Sequence, residues 1–214
     1  MRKQLLLSLI FVGLASASFG QKLAFNLRSP SAFGIEFTQG NEKNFLFDDL
    51  DYFYRTNTLK LQFYYPCMQW RKLELSLVIQ PQIQLVQHQL YNEQFVRPNE
   101  TDYQLKRATY TKLKNLSLAA IEFTIDVKRP IFSNTAIFIQ VGVGLALIDT
   151  ETERLARGFT FIENLNAGFE CAITNKTSFR LFSGVGHVSN FNFKQPNSGY
   201  NALNTGISLR YSLH

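Results

Sequence analysis

Apolar and polar residues alternate with a period of two along most of the chain beyond residue 30. In the stretch 72–85, Leu73 and Leu75 fall on one face, whereas Glu74 and Ser76 fall on the other. Because successive side chains of a β-strand point to opposite faces, this pattern predicts strands with one apolar and one polar face. The predicted strands are residues 31–39, 58–65, 72–85, 117–128, 135–148, 159–173, 177–189 and 202–214.

The connections between these eight strands are alternately long and short. A soluble sandwich would share the alternation of residues, but transmembrane barrels combine short periplasmic turns with long extracellular loops. Most of the strands also reach the ~9–11 residues that a tilted strand needs to cross a bilayer. We therefore predict an all-β fold, an eight-stranded antiparallel transmembrane β-barrel of the bacterial outer membrane. The long connections are 40–57, 86–114, 149–158 and 190–201, and the short ones are 66–71, 129–134 and 174–176.

The polar face of the strands has to line the inside of such a barrel. An eight-stranded barrel is just wide enough to be filled by side chains. Since an unpaired buried charge is costly, we expect the charges on this face to pair and to plug the barrel rather than line a pore. The charged residues on this face are Glu36, Lys60, Glu74, Glu122, Asp126, Glu170, Arg180 and Arg210.

Aromatic residues near the two predicted rims suit the aromatic girdles of a membrane barrel. Ordinary packing or loop positions are an equally good interpretation for the group at the outer rim. The residues are Tyr64, Tyr65 and Trp70 at the periplasmic rim, and Phe45, Phe47, Tyr52, Phe53 and Tyr54 at the outer rim.

The first twenty residues predict a secretory signal peptide, with Arg2 and Lys3 before a short apolar run and cleavage before Gln21. The apolar run is too short for a comfortable membrane span, and no later stretch reaches ~18 uninterrupted apolar residues. We predict a signal peptide at residues 1–20 and one outer-membrane β-barrel domain at residues 21–214.

Charge and cysteine content limit the possible partners. The signal peptide contributes two of the positive charges, so a net charge of +6 falls to +4, and no run of five or six basic residues indicates nucleic acid binding. Cys67 and Cys171 lie on non-adjacent predicted strands, so we expect two free thiols. The two cysteines and three histidines show no metal-ligand spacing.

The candidate chemistry lies at the end of the seventh strand. His187 and Ser189 are two residues apart and share one strand face. An imidazole beside a hydroxyl is the minimum for a serine activated by a histidine base. Residues 196–199 read Pro-Asn-Ser-Gly, a strong turn signal that could fold Asn197 and Asn201 back towards this pair.

These residues together resemble the lipid A 3-O-deacylases, the PagL family, also called acyloxyacyl hydrolases. That family carries His-x-Ser-Asn at the end of its seventh barrel strand, followed by a Pro-Asn loop and the last strand. The resemblance is strongest from about Ile137 to the C-terminus. One position departs, because the best-known members carry Glu where this chain has Asn201. The matching positions are His187, Ser189, Asn190, Pro196, Asn197 and Gly199.

The resemblance implies hydrolysis of the acyl ester at a glucosamine 3-position of lipid A. Ser189 would be the nucleophile and His187 the general base. Backbone N–H groups after Ser189, with Asn190 or Asn197, would hold the oxyanion. Water would then release a 3-hydroxy fatty acid, and no metal or organic cofactor is needed.

The third catalytic member has two candidates, Glu163 and Asn201. Glu163 is the one charged residue on the apolar face of the sixth strand, and a short turn would bring it opposite His187 or Ser189. Either residue could orient His187. Alternatively, Glu163 is an interfacial carboxylate with no catalytic role.

His187 and Ser189 share their face with Phe179, Leu181 and Val185, so they should face lipid at the outer leaflet. A catalytic pair there makes sense for a lipid substrate such as lipid A in lipopolysaccharide. Alternatively, the two are polar residues at a membrane interface without a catalytic role.

At the level of function, the alternatives are a non-catalytic small barrel, serving as adhesin or structural protein, and an esterase acting on phospholipid acyl chains.

A basic cluster in the second outer loop could meet lipid A phosphates or could simply be solvated. The cluster contains Lys106, Arg107, Lys112 and Lys114.

The sequence does not give the oligomeric state, so a monomer and a homodimer are both compatible with it.

Overall fold

The structure, a computed structural model, describes residues 29–213, so the predicted signal peptide lies outside the described residues. Eight antiparallel strands form a closed barrel in sequence order, and the last strand pairs with the first. The predicted fold class is therefore confirmed. The strands are β1 (Ala32–Asn41), β2 (Tyr52–Trp70), β3 (Leu73–Leu90), β4 (Lys114–Pro130), β5 (Thr135–Ile148), β6 (Gly158–Ala172), β7 (Thr177–Ser189) and β8 (Tyr200–Ser212).

The connections alternate in length as predicted. The short turns lie at the barrel end that also holds the start of β1 and the end of β8. The long connections lie at the opposite, outer end. The second of them contains a 3-10 turn, Glu93–Phe95, and helix α1, Tyr103–Tyr110, which the sequence pattern did not predict. In the described part of the chain, no helix combines the length and the apolar character that a membrane crossing demands.

Strands β2 and β3 extend further than the alternation of apolar residues indicated. Their outer ends stay paired from Tyr52↔Leu90 onwards, and a bulge between Pro66 and Met68 shifts the register near the short turn. Backbone pairing between neighbouring strands defines these ends, whereas the alternation of apolar and polar residues ends where the outer face is no longer apolar. The connection predicted at residues 66–71 therefore shrinks to residues 71–72.

Charged side chains fill the barrel interior in pairs, as expected for a plugged barrel. Lys60 Nζ lies 3.2 Å from a Glu36 oxygen and 2.9 Å from a Glu122 oxygen. All three side chains are buried. Glu74 is the most exposed of the predicted interior charges, because it lies near a short turn. A second interior cluster joins Arg180, Asp126, Glu170, Lys128 and Arg210.

The outer wall is apolar, as a lipid-facing surface requires, with Leu181 for example 50% exposed. Three tyrosines expected in the aromatic girdles instead face the lumen: Tyr52, Tyr54 and Tyr64 are 2%, 3% and 1% exposed. The girdle prediction was wrong for them, because they fall on the inward phase of β2.

Candidate active site

His187 and Ser189 lie on the outer wall at the end of β7, far from the end that holds the short turns. In the strand registers, His187 lies between Glu163 on β6 and Asn201 on β8. Ser189 lies opposite Phe161 and is only 6% exposed. The hydroxyl is therefore on the lipid-facing phase but is sheltered by its surroundings.

Asn201 holds the imidazole ring. His187 Nδ1 lies 2.7 Å from Asn201 Oδ1. Because an amide oxygen only accepts, this contact places a proton on Nδ1 and leaves Nε2 as the free acceptor in the neutral ring. Glu163 is directly opposite His187, as the sequence predicted, but no hydrogen bond joins the two within residues 29–213. Both residues thus flank the ring, and among the described residues Asn201 is the one of the two that bonds to it.

Ser189 and His187 are neighbours on one face but are not hydrogen-bonded to each other in the described structure. Two residues along a strand place their Cα atoms about 6.6 Å apart, within reach of an imidazole and a hydroxyl. Catalytic hydrogen bonds are often long in unliganded proteins and shorten only with substrate. The arrangement is that of a hydroxyl beside an imidazole, without a hydrogen bond between them in the described structure.

Asn190 and Asn197 meet directly behind the serine. The backbone N–H of Asn190 donates to Asn197 Oδ1 at 2.8 Å. That contact fixes which end of the Asn197 amide is the oxygen, and its Nδ2 donates to Asn192 Oδ1 at 3.3 Å. The backbone N–H that directly follows Ser189 is thus occupied, in contrast to the expectation that it would hold the oxyanion. An NH2 group has two donors, so Asn197 keeps a second N–H for a ligand.

The outer ends of two connections hold this segment in place. Leu155 forms an isolated antiparallel bridge with Asn197, and Ala156 N–H donates to the Pro196 carbonyl at 2.9 Å. Arg154 binds Gly199 by both backbone and side chain. We call this set, residues 154–156 and 196–199, the loop contact. Sequence reasoning missed it, because no periodicity or motif marks a contact between two irregular segments.

Apolar side chains surround the serine. The Phe161 ring packs edge-on against Phe191, with ring centroids 4.8 Å apart, and against Phe159 at the same distance. Phe159 also borders an apolar groove of about 670 Å³ on the outer wall, which passes over Ala119. An apolar surface therefore runs along the wall to the side of Ser189.

A buried polar cluster closes the outer end of the lumen beneath the site. His88 Nε2 lies 2.9 Å from a Glu153 oxygen, and both side chains are buried. The Tyr200 ring stacks on Tyr54 with centroids 4.2 Å apart. Burial raises the pKa of Glu42, which lies just beyond β1. The site therefore stands on a closed barrel end and not at the mouth of a channel.

Two basic residues of the second outer loop, Lys106 and Arg107, bind other parts of the same loop. Lys106 pairs with Glu100 at 3.1 Å, and Arg107 donates twice to the Val96 carbonyl, at 3.0 and 2.9 Å. The Arg97 backbone N–H, together with Lys106, lowers the pKa of Glu100. These contacts order the loop and favour its interpretation as a structural, solvated surface.

Neither metal ligands nor a disulfide are found at the site. No group of three or more His, Cys, Asp or Glu residues within residues 29–213 is arranged to hold a metal ion. Cys67 on β2 and Cys171 on β6 are free thiols, as expected from their strands.

Comparison with known proteins identifies the family. The family model for lipid A 3-O-deacylase (PagL) matches residues 57–210, well over half of the chain. The crystal structure of the outer membrane enzyme PagL is similar to the barrel, with a TM-score of 0.53, 14% identity and coverage of 84% of this chain and 99% of that one. Neisserial surface protein A (NspA) is more distant, with a TM-score of 0.47, 10% identity and coverage of 85% and 96%. Curated protein sequences give no match. From the family match and the barrel fold together, the chain belongs to the lipid A 3-O-deacylases, ester hydrolases of the outer membrane.

Proposed function

We propose that this deacylase is a serine esterase in which Ser189 is the nucleophile and His187 the general base. The observation that carries the proposal is the 2.7 Å contact between His187 Nδ1 and Asn201 Oδ1, on the same wall and strand face as Ser189. It leaves Nε2 unprotonated and able to take the serine proton. Asn201 thus serves as the third member and orients the base.

The reaction follows from these roles. Ser189 Oγ attacks the acyl carbonyl at the 3-position of lipid A while His187 Nε2 accepts its proton. The base then returns the proton to the leaving sugar hydroxyl, and an acyl-serine forms. Water, activated by the same base, releases the 3-hydroxy fatty acid and restores the serine.

The negative oxygen of the tetrahedral intermediate needs a donor that is aimed before the reaction starts. The second N–H of the Asn197 amide suits this role, because its other hydrogen bonds already fix the side chain. Asn190 is 1% exposed, and its side-chain Nδ2 donates to the Lys194 carbonyl at 2.7 Å. Asn190 therefore supports the segment that aims Asn197.

The surroundings of Ser189 suit a substrate that stays in the membrane. The Phe161 and Phe191 rings and the apolar groove beyond Phe159 offer a surface for acyl chains at the height of the ester. Since acyl chains in the bilayer are already out of water, van der Waals packing against these rings, and not further burial, would align the ester. The lipid reaches Ser189 sideways from the outer leaflet.

Ser189→Ala tests the proposal in purified protein reconstituted with lipid A, with released fatty acid measured by mass spectrometry. We expect the release of 3-hydroxy fatty acid to fall by at least about a thousandfold, since the covalent step is lost. Ser183→Ala is the matched control, because Ser183 is exposed on the same outward face and its hydroxyl donates to the Asn204 carbonyl at 2.8 Å. The control should keep full activity.

The same mass spectra decide between the alternatives. Unchanged release in Ser189→Ala would contradict the nucleophile assignment. With phospholipid added to the same assay, loss of acyl chains from phospholipid instead of lipid A by the wild-type protein would indicate the other esterase. No change in any lipid would indicate a non-catalytic adhesin or structural barrel.

A homodimer is a separate hypothesis about the apolar outer wall. Acyl chains and a second copy of the chain are both suitable neighbours for such a surface. Sedimentation equilibrium in detergent measures the mass directly, and a mass of one chain at all protein concentrations would exclude the homodimer.

A further inference from the structure

Arg154, in the connection between β5 and β6, holds Gly199 at both of its peptide groups. Its side-chain Nε donates to the Gly199 carbonyl at 2.8 Å. Its own carbonyl accepts the backbone N–H groups of Ser198 at 2.7 Å and Gly199 at 3.1 Å. The position of Gly199 is therefore set by one residue of a different connection.

Gly199 is in turn the surface on which the His187 ring lies. A Cβ atom added to Gly199 would lie 3.0 Å from His187 Cε1 and 3.4 Å from Nε2. The edge of the imidazole that carries Cε1 and Nε2 thus packs against this glycine, while Asn201 holds the adjacent Nδ1. A displacement of Gly199 would rotate or release the ring.

The Arg154 guanidinium is itself fixed by parts of the outer end that are distant in sequence. Its central carbon lies 4.1 Å from the centroid of the Tyr52 ring and 5.3 Å from that of Phe95. One of its nitrogens is 3.8 Å from an Asp49 oxygen, and the side chain is only 12% exposed. Arg154 therefore connects Gly199 to the aromatic side chains at the barrel end.

We propose that Arg154 is a positioning residue for the general base. By fixing Gly199 it sets the rotation of the His187 ring that presents Nε2 to Ser189, although it touches neither substrate nor reacting atoms. The inference rests on the proposed roles of His187 and Ser189. It assigns to a loop arginine a part in catalysis that neither the sequence motif nor the family match indicates.

The experiment compares Arg154→Met and Arg154→Lys with Arg157→Met in purified, folded barrels acting on lipid A. Arg157 lies in the same connection and is exposed, so it controls for the lost charge. Small misplacements of a catalytic group cost up to about a hundredfold, so we expect Arg154→Met to lower kcat at least about tenfold with KM changed less than about twofold. Arg154→Lys should regain part of kcat, because it restores the cation over Tyr52 and a donor for the Gly199 carbonyl.

A double-mutant cycle separates positioning from general support of the fold. When Asn201→Ala has already freed the ring, the further loss from Arg154→Met should shrink by at least about threefold. The proposal is overturned if kcat of Arg154→Met stays within about twofold of wild type, or if kcat falls only in proportion to the folded fraction. It is also overturned if the losses of kcat from Arg154→Met and Asn201→Ala simply multiply in the double variant. The two proposals fail separately, because full activity in Ser189→Ala overturns the nucleophile, whereas full kcat in Arg154→Met overturns only the positioning role.

Discussion

At the scale of single residues, the amide at position 201 decides how strongly the base is activated. Asn201 fixes the tautomer of His187 through the contact at Nδ1. A carboxylate in that place would also stabilise the imidazolium that forms when the serine loses its proton. In the proposed mechanism, the base is therefore correctly oriented but lacks the full electrostatic support of a carboxylate.

Asn201→Asp should raise the turnover of lipid A. Asp has nearly the shape of Asn, so the contact with Nδ1 is kept while a negative charge is added. We expect kcat to rise about tenfold, equivalent to about 1.4 kcal/mol of transition-state stabilisation. The acidic limb of the pH–rate profile should move to higher pH, because the carboxylate favours the protonated ring, which cannot act as a base. Initial rates of fatty acid release between pH 5 and 9 measure both effects.

Glu163→Gln is the comparison for that prediction. Glu163 is the other neighbour of His187 in the barrel, but it makes no hydrogen bond to the ring in the described structure. Its substitution should leave both turnover and the pH profile within about twofold of wild type. A fall as large as that of Asn201→Ala would show that Glu163 also supports the base.

The sequence placed His187 and Ser189 together at the end of the seventh strand but could not choose between the neighbours of the imidazole ring. Period-two spacing places His187 and Ser189 on one face whatever the surroundings, so this part could be predicted. Glu163 and Asn201 flank His187 on its two sides, so register alone brings both to it. Only side-chain geometry shows which of them reaches Nδ1.

At the scale of structural elements, the loop contact turns two irregular connections into a rigid support for the strand end. Strands β7 and β8 carry the reactive side chains, but residues 154–156 and 196–199 set the segment between them. Strands could be predicted from alternation, whereas this contact and helix α1 could not. The helix has eight residues and buries only Tyr110, so it leaves no periodic apolar pattern in the sequence.

Gly199→Ala should disable the site without unfolding the barrel. Gly199 has a φ of +69°, which costs an ordinary residue about 1–2 kcal/mol. The added methyl group would also lie 2.7 Å from the Val188 carbonyl and 3.0 Å from His187 Cε1, so the ring has to move. We expect kcat to fall at least about tenfold, with the circular dichroism of the strands unchanged.

Gly158→Ala is a close control for the glycine variant. Gly158 has a φ of +115°, but a Cβ added there would meet nothing within 4 Å. Its alanine variant therefore introduces backbone strain without contact to His187, at a φ outside the left-handed α region and so at least as costly as at Gly199. Equal losses of activity in the two variants would show that strain in the outer loops, and not the contact with the ring, is responsible.

At the scale of the whole molecule, the filled lumen leaves the outer wall as the place for the chemistry. Charge pairs occupy the middle of the barrel, and stacked tyrosines close its outer end. The sequence predicted the filled, charge-paired middle, because an eight-stranded barrel is just wide enough for side chains and an unpaired buried charge is costly. It did not predict the tyrosines at the outer end, of which Tyr54 was expected at the rim. Stability and catalysis thus depend on opposite faces of the same strands.

Lys60→Met tests this separation of faces. Removal of the ammonium leaves the buried carboxylates of Glu36 and Glu122 without their shared partner, which should destabilise the barrel by roughly 3–5 kcal/mol. Unfolding by urea in detergent is measured by the shift of the folded band in gel electrophoresis. The urea midpoint of the variant should fall at neutral pH. It should recover towards acidic pH, because protonation of a carboxylate removes the unpaired charge. Lys72→Met, at the exposed turn between β2 and β3, should leave the midpoint unchanged.

At temperatures where the barrel stays folded, Lys60→Met should keep the wild-type kcat, because His187, Ser189 and Asn201 lie on the other face of the wall. A loss of kcat in fully folded Lys60→Met would show instead that the interior charges help to shape the site.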